Sequence, residues 1–207
     1  MSRAFLLSIL LPAAIYAADL DTTLKGVEDR YNRLQSLQMN FSETSKLKGR
    51  TRTEKGSISL RRPDKIRLDY SSPPGKVWIA DGKFIYSFDP QQNVYERMNE
   101  KEIDDLRTPL AFLLGNLHFK EQFRQFEQSA DGWIKAFPKS DKLLFTEVSF
   151  LIAPDFSVQR VSVKGQDGSV IDYTFDSEKK NPSVAEALFK FKPPPGAEFV
   201  DSAHGQQ

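Results

Sequence analysis

The chain contains no cysteine, which excludes disulfide bonds, thiolate catalysis, zinc–thiolate sites and a lipid-modified cysteine. It has only two histidines, so few metal-binding or acid–base arrangements are open to it. Neither sign of charge is in excess: 29 Lys and Arg residues stand against 28 Asp and Glu residues, and the net charge is +1. This balance argues against a protein that binds nucleic acid through bulk positive charge.

The sequence also lacks the short motifs that mark common catalytic and nucleotide-binding sites. It has no HExxH, GxSxG, GxGxxG or P-loop pattern. His118 and His204 have no second ligand at metal spacing, and the adjacent carboxylates of Asp104 and Asp105 would point apart on a helix. The sequence therefore predicts a protein that is not an enzyme and that holds no metal and no cofactor.

Phenylalanine, in contrast, is abundant. The chain has 16 Phe against 6 Tyr and 2 Trp, and aromatic residues form 12% of a chain that is only 39% hydrophobic. The apolar side chains are few but bulky, so the function depends on which surface of the fold these side chains face.

The N-terminal segment is typical of a secretory signal peptide. Arg3 is followed by a short apolar stretch, residues 4–14, that ends in the small residues Ala13 and Ala14, and we predict cleavage after Ile15-Tyr16-Ala17. A membrane anchor is the alternative, but the stretch is too short to span a bilayer. We expect residues 1–17 to be removed and residues 18–207 to form a single domain beyond the inner membrane of a bacterium.

Hydrophobic periodicity predicts one helix followed by many strands. Apolar residues first recur at steps of three and four, on one face of a helix: Leu20, Leu24, Val27, Tyr31 and Leu34. After residue 40 the period changes to two, as in half-buried antiparallel strands. The apolar positions are Ile58 and Leu60; Ile66, Leu68 and Tyr70; Phe84, Tyr86 and Phe88, with Ile85 breaking the alternation; Val158, Val161 and Val163; Ile171, Tyr173 and Phe175; and Phe189 and Phe191.

Turn residues separate these predicted strands. Asp-Gly pairs favour tight hairpins, because glycine readily adopts the positive φ that such turns require. Three such pairs lie between apolar segments: Asp81-Gly82, Asp131-Gly132 and Asp167-Gly168. The pattern indicates an antiparallel sheet or barrel.

Residues 99–117 depart from the β pattern. Their leucines and isoleucine return to helical spacing, and Thr108-Pro109 interrupts them. Proline cannot continue a helix but fits the first turn of a new one. We therefore predict two short helices, over 99–107 and 109–116, the second almost wholly apolar.

Two basic features each allow two interpretations. The stretch Lys46–Arg52 could bind an anionic partner or membrane surface, or it could be a charged hairpin that protects strand edges from aggregation. Arg62 shares the parity of Ile58 and Leu60, so it could project inward and bond to the free carbonyls of a helix end. Alternatively, Pro63 ends the strand and Arg62 turns to solvent.

The ordered series of these elements resembles the LolA family of periplasmic lipoprotein carriers. The matching segments are Gly56–Pro63, Arg67–Tyr70, Asp81-Gly82-Lys83, Tyr86–Pro90, Thr108-Pro109-Leu110 and Phe189–Pro194. Their order and spacing match over nearly all of the chain that follows the predicted signal peptide.

The resemblance implies an α+β fold: a half-open, strongly curved antiparallel β-barrel with an N-terminal helix and short lid helices over a hydrophobic cavity. It implies a periplasmic monomer that shields lipoprotein acyl chains and transfers lipoproteins from the inner to the outer membrane. The implied partners are those acyl chains, an ATP-driven lipoprotein-releasing complex of the inner membrane, and an outer-membrane receptor or the membrane itself, with no nucleic acid.

The resemblance also implies site residues. Arg62 matches an arginine that, in the family, bonds to the backbone of the lid helices and helps hold the lid closed, which favours its inward orientation. The positions that would line the lipid cavity are Ile58, Leu60, Ile66, Leu68, Tyr70, Leu110, Phe112 and Leu113.

Two other functions stay open. A protein of the same fold could carry another lipid or act as a regulatory sensor in the periplasm. A lipid hydrolase would need a nucleophile beside a base, and neither histidine has an identifiable Ser or Asp partner.

Overall fold

The computed structural model describes residues 20–99 and 117–200. Helices α1 (Leu20–Asn32) and α2 (Phe119–Gln122) lie within these ranges, with a turn of 3₁₀ helix at Glu186–Phe189. The strands are β1 (Ser36–Leu47), β2 (Arg50–Arg61), β3 (Lys65–Ser72), β4 (Pro74–Asp81), β5 (Phe84–Asp89), β6 (Val94–Asn99), β7 (Phe123–Gln128), β8 (Trp133–Pro138), β9 (Phe145–Ile152), β10 (Val158–Gly165), β11 (Val170–Lys180) and β12 (Glu198–Val200).

These strands form one sheet in the order β12-β6-β5-β4-β3-β2-β1-β11-β10-β9-β8-β7. Neighbours run antiparallel, except that β12 lies parallel to β6. The sheet is open, because β12 and β7 are its two edges, and register shifts between several strand pairs bend it. The prediction of an open, curved half-barrel is confirmed; the parallel last strand was not predicted.

Helix α1 packs its apolar side against the inner face of this sheet, the face turned toward the helix. Leu24, Val27 and Tyr31 are at most 2% exposed and join the buried strand residues in one hydrophobic cluster. The helix follows from its apolar spacing of three and four, and its prediction is confirmed. Leu34 is also buried, in the turn that follows the helix.

The predicted hairpins are present. Gly82, Gly132 and Gly168 have φ values of +94°, +87° and +81°, and they lie in the β4–β5, β7–β8 and β10–β11 turns. The basic stretch also forms a hairpin tip, since Leu47 pairs with Arg50 at the end of β1 and β2.

Two details of the predicted strands were wrong. On β5, Ile85 belongs to the inner cluster, whereas Tyr86 faces the opposite, outer side, where its ring stacks on Phe191 at 5.0 Å. Phe189 and Phe191 do not form a strand: Phe189 ends the 3₁₀ turn and is 1% exposed. The N–H groups of Leu188 and Lys190 bond within the turn instead of to a strand, and the segment packs on the outer side of the sheet, where Arg67 donates to the Leu188 carbonyl at 3.0 Å.

The two predicted lid helices cannot be compared with the fold. Asn99, the predicted start of the first, is the last residue of β6. The rest of both helices, residues 100–116, lies outside the described residues, as does the predicted signal peptide. No helix in the described ranges is long and apolar enough to cross a membrane.

Candidate functional site

The inner face of β2 and β3 carries a block of apolar side chains. Ile58 pairs with Leu68 and Leu60 pairs with Ile66 across the two strands, so the four side chains lie side by side. They are between 1% and 6% exposed and belong to the same cluster as the apolar side of α1. This block, here called the apolar floor, has no polar atoms in its side chains and can bind only apolar groups.

Tyr70 lies at the edge of the apolar floor, and its surroundings are mixed. Its half-buried ring meets Phe41 edge-on at 5.2 Å, and Lys76 Nζ lies 4.2 Å from the ring centre. Burial raises the pKa of the Tyr70 hydroxyl above its ordinary value of 10, and the nearby carboxylates of Glu43 and Glu54 raise it further. Tyr70 therefore marks the point where the inner face changes from apolar to polar.

The other three predicted cavity residues, Leu110, Phe112 and Leu113, lie outside the described residues. Their part in a cavity stays a prediction.

Arg62 reaches the C-terminal end of α1. Its Nη1 donates to the carbonyl of Asn32 at 2.6 Å, and its Nη2 donates to the carbonyl of Tyr31 at 2.5 Å. The Tyr31 carbonyl also accepts from the Leu34 N–H at 3.2 Å, and both carbonyls lie at the negative end of the helix dipole, so a guanidinium is well suited to them. The interaction agrees with the inward interpretation of Arg62; bonds to a lid at residues 100–116 stay a prediction.

Burial shapes the chemistry of this guanidinium. Partial burial lowers the pKa of Arg62 from its ordinary value, although an arginine of this kind still holds its proton at physiological pH. Its Nε is buried and has no hydrogen-bond partner among the described residues. Two of its nitrogens are thus committed to α1.

Strands β10 and β11, in the other half of the sheet, also hold the end of α1, through residues that sequence reasoning missed. The Tyr31 hydroxyl donates to Glu178 Oε2 at 2.9 Å and accepts from the Val158 N–H at 3.0 Å. Arg30 forms an ion pair of 2.6 Å with Glu178. Burial and the Glu178 charge raise the pKa of the Tyr31 hydroxyl. A tyrosine on the apolar side of α1 was the available signal, because a buried hydroxyl needs partners.

A third connection joins α1 to the chain just after residue 116. The Asn32 side chain donates to the carbonyl of Leu117 at 2.9 Å and accepts from its N–H at 3.0 Å. The Glu28 carboxylate accepts from the Phe119 N–H at 2.7 Å. Helix α1 is therefore bonded to β2–β3, to β10–β11 and to residues 117–119.

No group of three or more His, Asp or Glu side chains is placed to hold a metal ion in the described ranges. His118 is exposed, and His204 lies beyond the described residues.

Comparison with known proteins gives consistent results. The model of a family described as "Outer membrane lipoprotein carrier protein LolA" matches residues 32–192. A protein of Histophilus somni (strain 2336) named "Outer-membrane lipoprotein carrier protein" is 26% identical over 205 residues, covering 97% of this chain and 98% of its own length. A protein of Nitrosomonas europaea with the same name is 25% identical over 198 residues, covering 92% and 93% of the two chains.

Among solved structures, an uncharacterised conserved protein from Thermus thermophilus aligns with a TM-score of 0.52. It is 15% identical and covers 87% of this chain and 98% of its own. The likeness concerns the fold alone.

Proposed function

The chain belongs to the LolA family of outer membrane lipoprotein carrier proteins, and we propose that it carries lipoproteins through the periplasm from the inner to the outer membrane. The observation that carries this proposal is the continuous apolar inner face, with helix α1 lying across it. Acyl chains would occupy the apolar floor once its cover opens.

If the cargo is to be released again, opening this cover must cost free energy. Each CH₂ group removed from water is worth about 0.8 kcal/mol, so one 16-carbon chain gains about 12 kcal/mol. Several chains together would exceed the affinity of roughly 18–21 kcal/mol at which non-covalent binding saturates. A cargo bound that tightly could not be delivered, so part of the gain must be offset.

Opening α1 supplies an offset. It breaks the two hydrogen bonds of Arg62 and separates the apolar side of the helix from the floor. Hydrogen bonds to a charged group contribute about 1.5–3 kcal/mol each. A closed state that competes with cargo lowers the net affinity, so that cargo passes onward to an acceptor with higher affinity.

The proposed carrier function requires no catalysed reaction. An ATP-driven complex in the inner membrane would release lipoprotein to it, and an outer-membrane receptor or the membrane itself would accept the lipoprotein. The protein would act as a monomer that shields the acyl chains in transit.

Depletion of the protein in its host tests this function. We expect outer-membrane lipoproteins to accumulate in the inner membrane or periplasm, as seen by membrane fractionation and immunoblotting, and re-expression to restore sorting. Normal lipoprotein sorting together with altered distribution of free lipid would instead support a carrier of another lipid.

A further inference from the structure

A band of polar side chains crosses the inner face at the end nearest the β1–β2 hairpin tip. It runs over five neighbouring strands in the sheet order β4-β3-β2-β1-β11. The polar band consists of Lys76, Tyr70, Glu54, Glu43 and Tyr173. Glu43 pairs directly with Glu54 on one side and with Tyr173 on the other, and it has the same parity as the buried Phe41. The polar band therefore continues the apolar floor on the same face.

The side chains of the polar band contact one another. Lys76 Nζ donates to Glu54 Oε2 at 2.6 Å and also lies over the Tyr70 ring. Tyr173 lies directly across from Glu43 on β11, and burial together with the Glu43 charge raises the pKa of the Tyr173 hydroxyl. Arg52, just beyond the polar band, places Nη2 2.6 Å from Glu54 Oε1, and its side chain is 59% exposed.

One oxygen of the polar band, Glu54 Oε1, is paired by charge with Arg52 but accepts no well-aligned hydrogen bond from the described residues. Glu54 is only 4% exposed, yet its Oε1 accepts no hydrogen bond from the described residues, because the Arg52 guanidinium is near but poorly oriented. A buried carboxylate oxygen without a well-aligned donor keeps hydrogen-bonding capacity for a further group. The Lys76 ammonium also has donors to spare, since one of its three N–H groups binds Glu54.

We propose that the polar band is the subsite for the polar linkage of the cargo, the ester and amide groups of an acylated glyceryl-cysteine. This inference rests on the proposed function. The acyl chains lie along the apolar floor, ester carbonyls accept from Lys76 and the tyrosine hydroxyls, and an amide N–H donates to Glu54 Oε1. The attached protein then leaves at the hairpin end.

The arrangement of the apolar floor and the polar band along the inner face sets the orientation in which the cargo binds. A lipoprotein anchor has apolar chains at one end and hydrogen-bonding linkages at the other, as the inner face has its apolar floor and polar band. Placing ester and amide groups against Ile58 or Leu68 would leave them without partners, and that burial is unfavourable. One orientation is therefore preferred over its reverse.

Photo-crosslinking of the wild-type protein tests the orientation directly. Two synthetic lipopeptides with S-diacylglyceryl cysteine would carry a diazirine either beside the cysteine or at the end of one acyl chain. We expect the first to label peptides of the polar band, within residues 43–54 and 70–76, and the second to label elsewhere. Labelling of the polar band by the chain-end probe would overturn the proposal.

Substitution tests the contribution of Lys76. We expect Lys76→Met to weaken binding of the unlabelled lipopeptide roughly tenfold and to leave binding of diphenylhexatriene, an apolar fluorescent probe, unchanged. Lys164→Met is the matched control, because Lys164 forms a comparable 3.0 Å pair with Glu147 between β9 and β10, away from the polar band.

The outcomes separate the two proposals. Equal lipopeptide binding by Lys76→Met and the control overturns the subsite while leaving the carrier function intact, as does equal loss of both probes. A wild-type protein that binds neither probe contradicts the carrier function itself. If Lys76→Met does not fold, the crosslinking positions in the wild type decide.

Discussion

At the residue scale, Arg62 is one of the groups that hold the C-terminal end of α1 in place. Its two hydrogen bonds join the turn after β2 to the C-terminal carbonyls of the helix. A lysine could reach one of these carbonyls but could not bridge both with a planar fork.

Arg62→Leu should therefore free the end of α1. We expect a loss of about 3 kcal/mol in the free energy of unfolding, the lower end for two hydrogen bonds to a charged group because the guanidinium is only half-buried, and faster amide exchange within residues 27–34 than elsewhere. Arg62→Lys should have a free energy of unfolding and an amide exchange rate between those of Arg62→Leu and the wild type. Unchanged exchange in α1, measured by hydrogen–deuterium mass spectrometry, would show that the arginine does not hold the helix.

Glu43 provides a second residue-scale prediction, on pH. Burial and the facing Glu54 carboxylate raise the pKa of Glu43 above its ordinary value of 4.5. The folded state thus binds this proton more tightly than the unfolded state does. The stabilisation is fully present below pH 4.5 and is lost as the pH rises through the folded-state pKa.

Glu43→Gln removes the charge but keeps the size and shape of the side chain. We expect the variant to unfold at higher urea concentration than the wild type near neutral pH, and at nearly the same concentration at about pH 4. Glu147→Gln, at an ion pair between β9 and β10, serves as control and should show no gain at neutral pH. A Glu43→Gln variant that is less stable at neutral pH would contradict this electrostatic account.

At the scale of elements, the outer side of β4–β6 carries a separate aromatic cluster. The ring of Phe191 stacks on Tyr86 at 5.0 Å and contacts Tyr95 at 5.4 Å, and Tyr95 contacts Phe199 of β12. These contacts fix the C-terminal segment to the outer face of the sheet, so their role is separate from that of the inner face.

Phe191→Ala should accordingly weaken the fold without weakening lipid binding. We expect the free energy of unfolding to fall by about 2–4 kcal/mol, since Phe-to-Ala changes at buried sites cost about 3–5 kcal/mol and this ring is only half-buried. Urea unfolding gives the first quantity, and diphenylhexatriene titration below the transition gives the second. A parallel loss of probe affinity would show that the two faces are coupled.

Sequence patterns predicted these elements unevenly. The apolar face of the helix from Leu24 to Tyr31 and the alternation of Ile66 and Leu68 could be predicted, because in both elements one side is buried and the other is exposed to solvent. On β5 both faces are covered, so the alternation could not show which side of the sheet the phenylalanines and Tyr86 occupy. The Phe189–Phe191 pair resembled a strand because its spacing is two, and its actual role depends on packing from distant residues.

Among the site residues, too, some positions could be predicted from strand parity and some contacts could not. Parity placed Ile58 and Leu60 on the inner side, where the structure has them, whereas for Arg62 parity left two orientations open and the family resemblance favoured the inward one. The contacts of Glu54 with Lys76 were not foreseen, because they join strands that are not neighbours in the sheet. Such pairings depend on the register of β3 between them, and register is set by turns and bulges rather than by composition.

At the scale of the whole molecule, the fold combines an open sheet with a helix that is bonded to the β2–β3 turn, to β10–β11 and to residues 117–119. An open sheet leaves its inner face accessible when the helix moves, whereas a closed barrel would fix the volume inside. The near-neutral charge and abundant phenylalanine are consistent with a protein whose specificity resides on an internal apolar surface.

The central claim, that this inner face carries acylated lipoproteins, can be tested by native mass spectrometry of the protein isolated from the periplasm of its host. The account predicts one-to-one complexes whose added masses correspond to mature lipoproteins with their acyl chains. Protein that is consistently empty, or that carries only free lipid while lipoproteins are sorted normally, would contradict it.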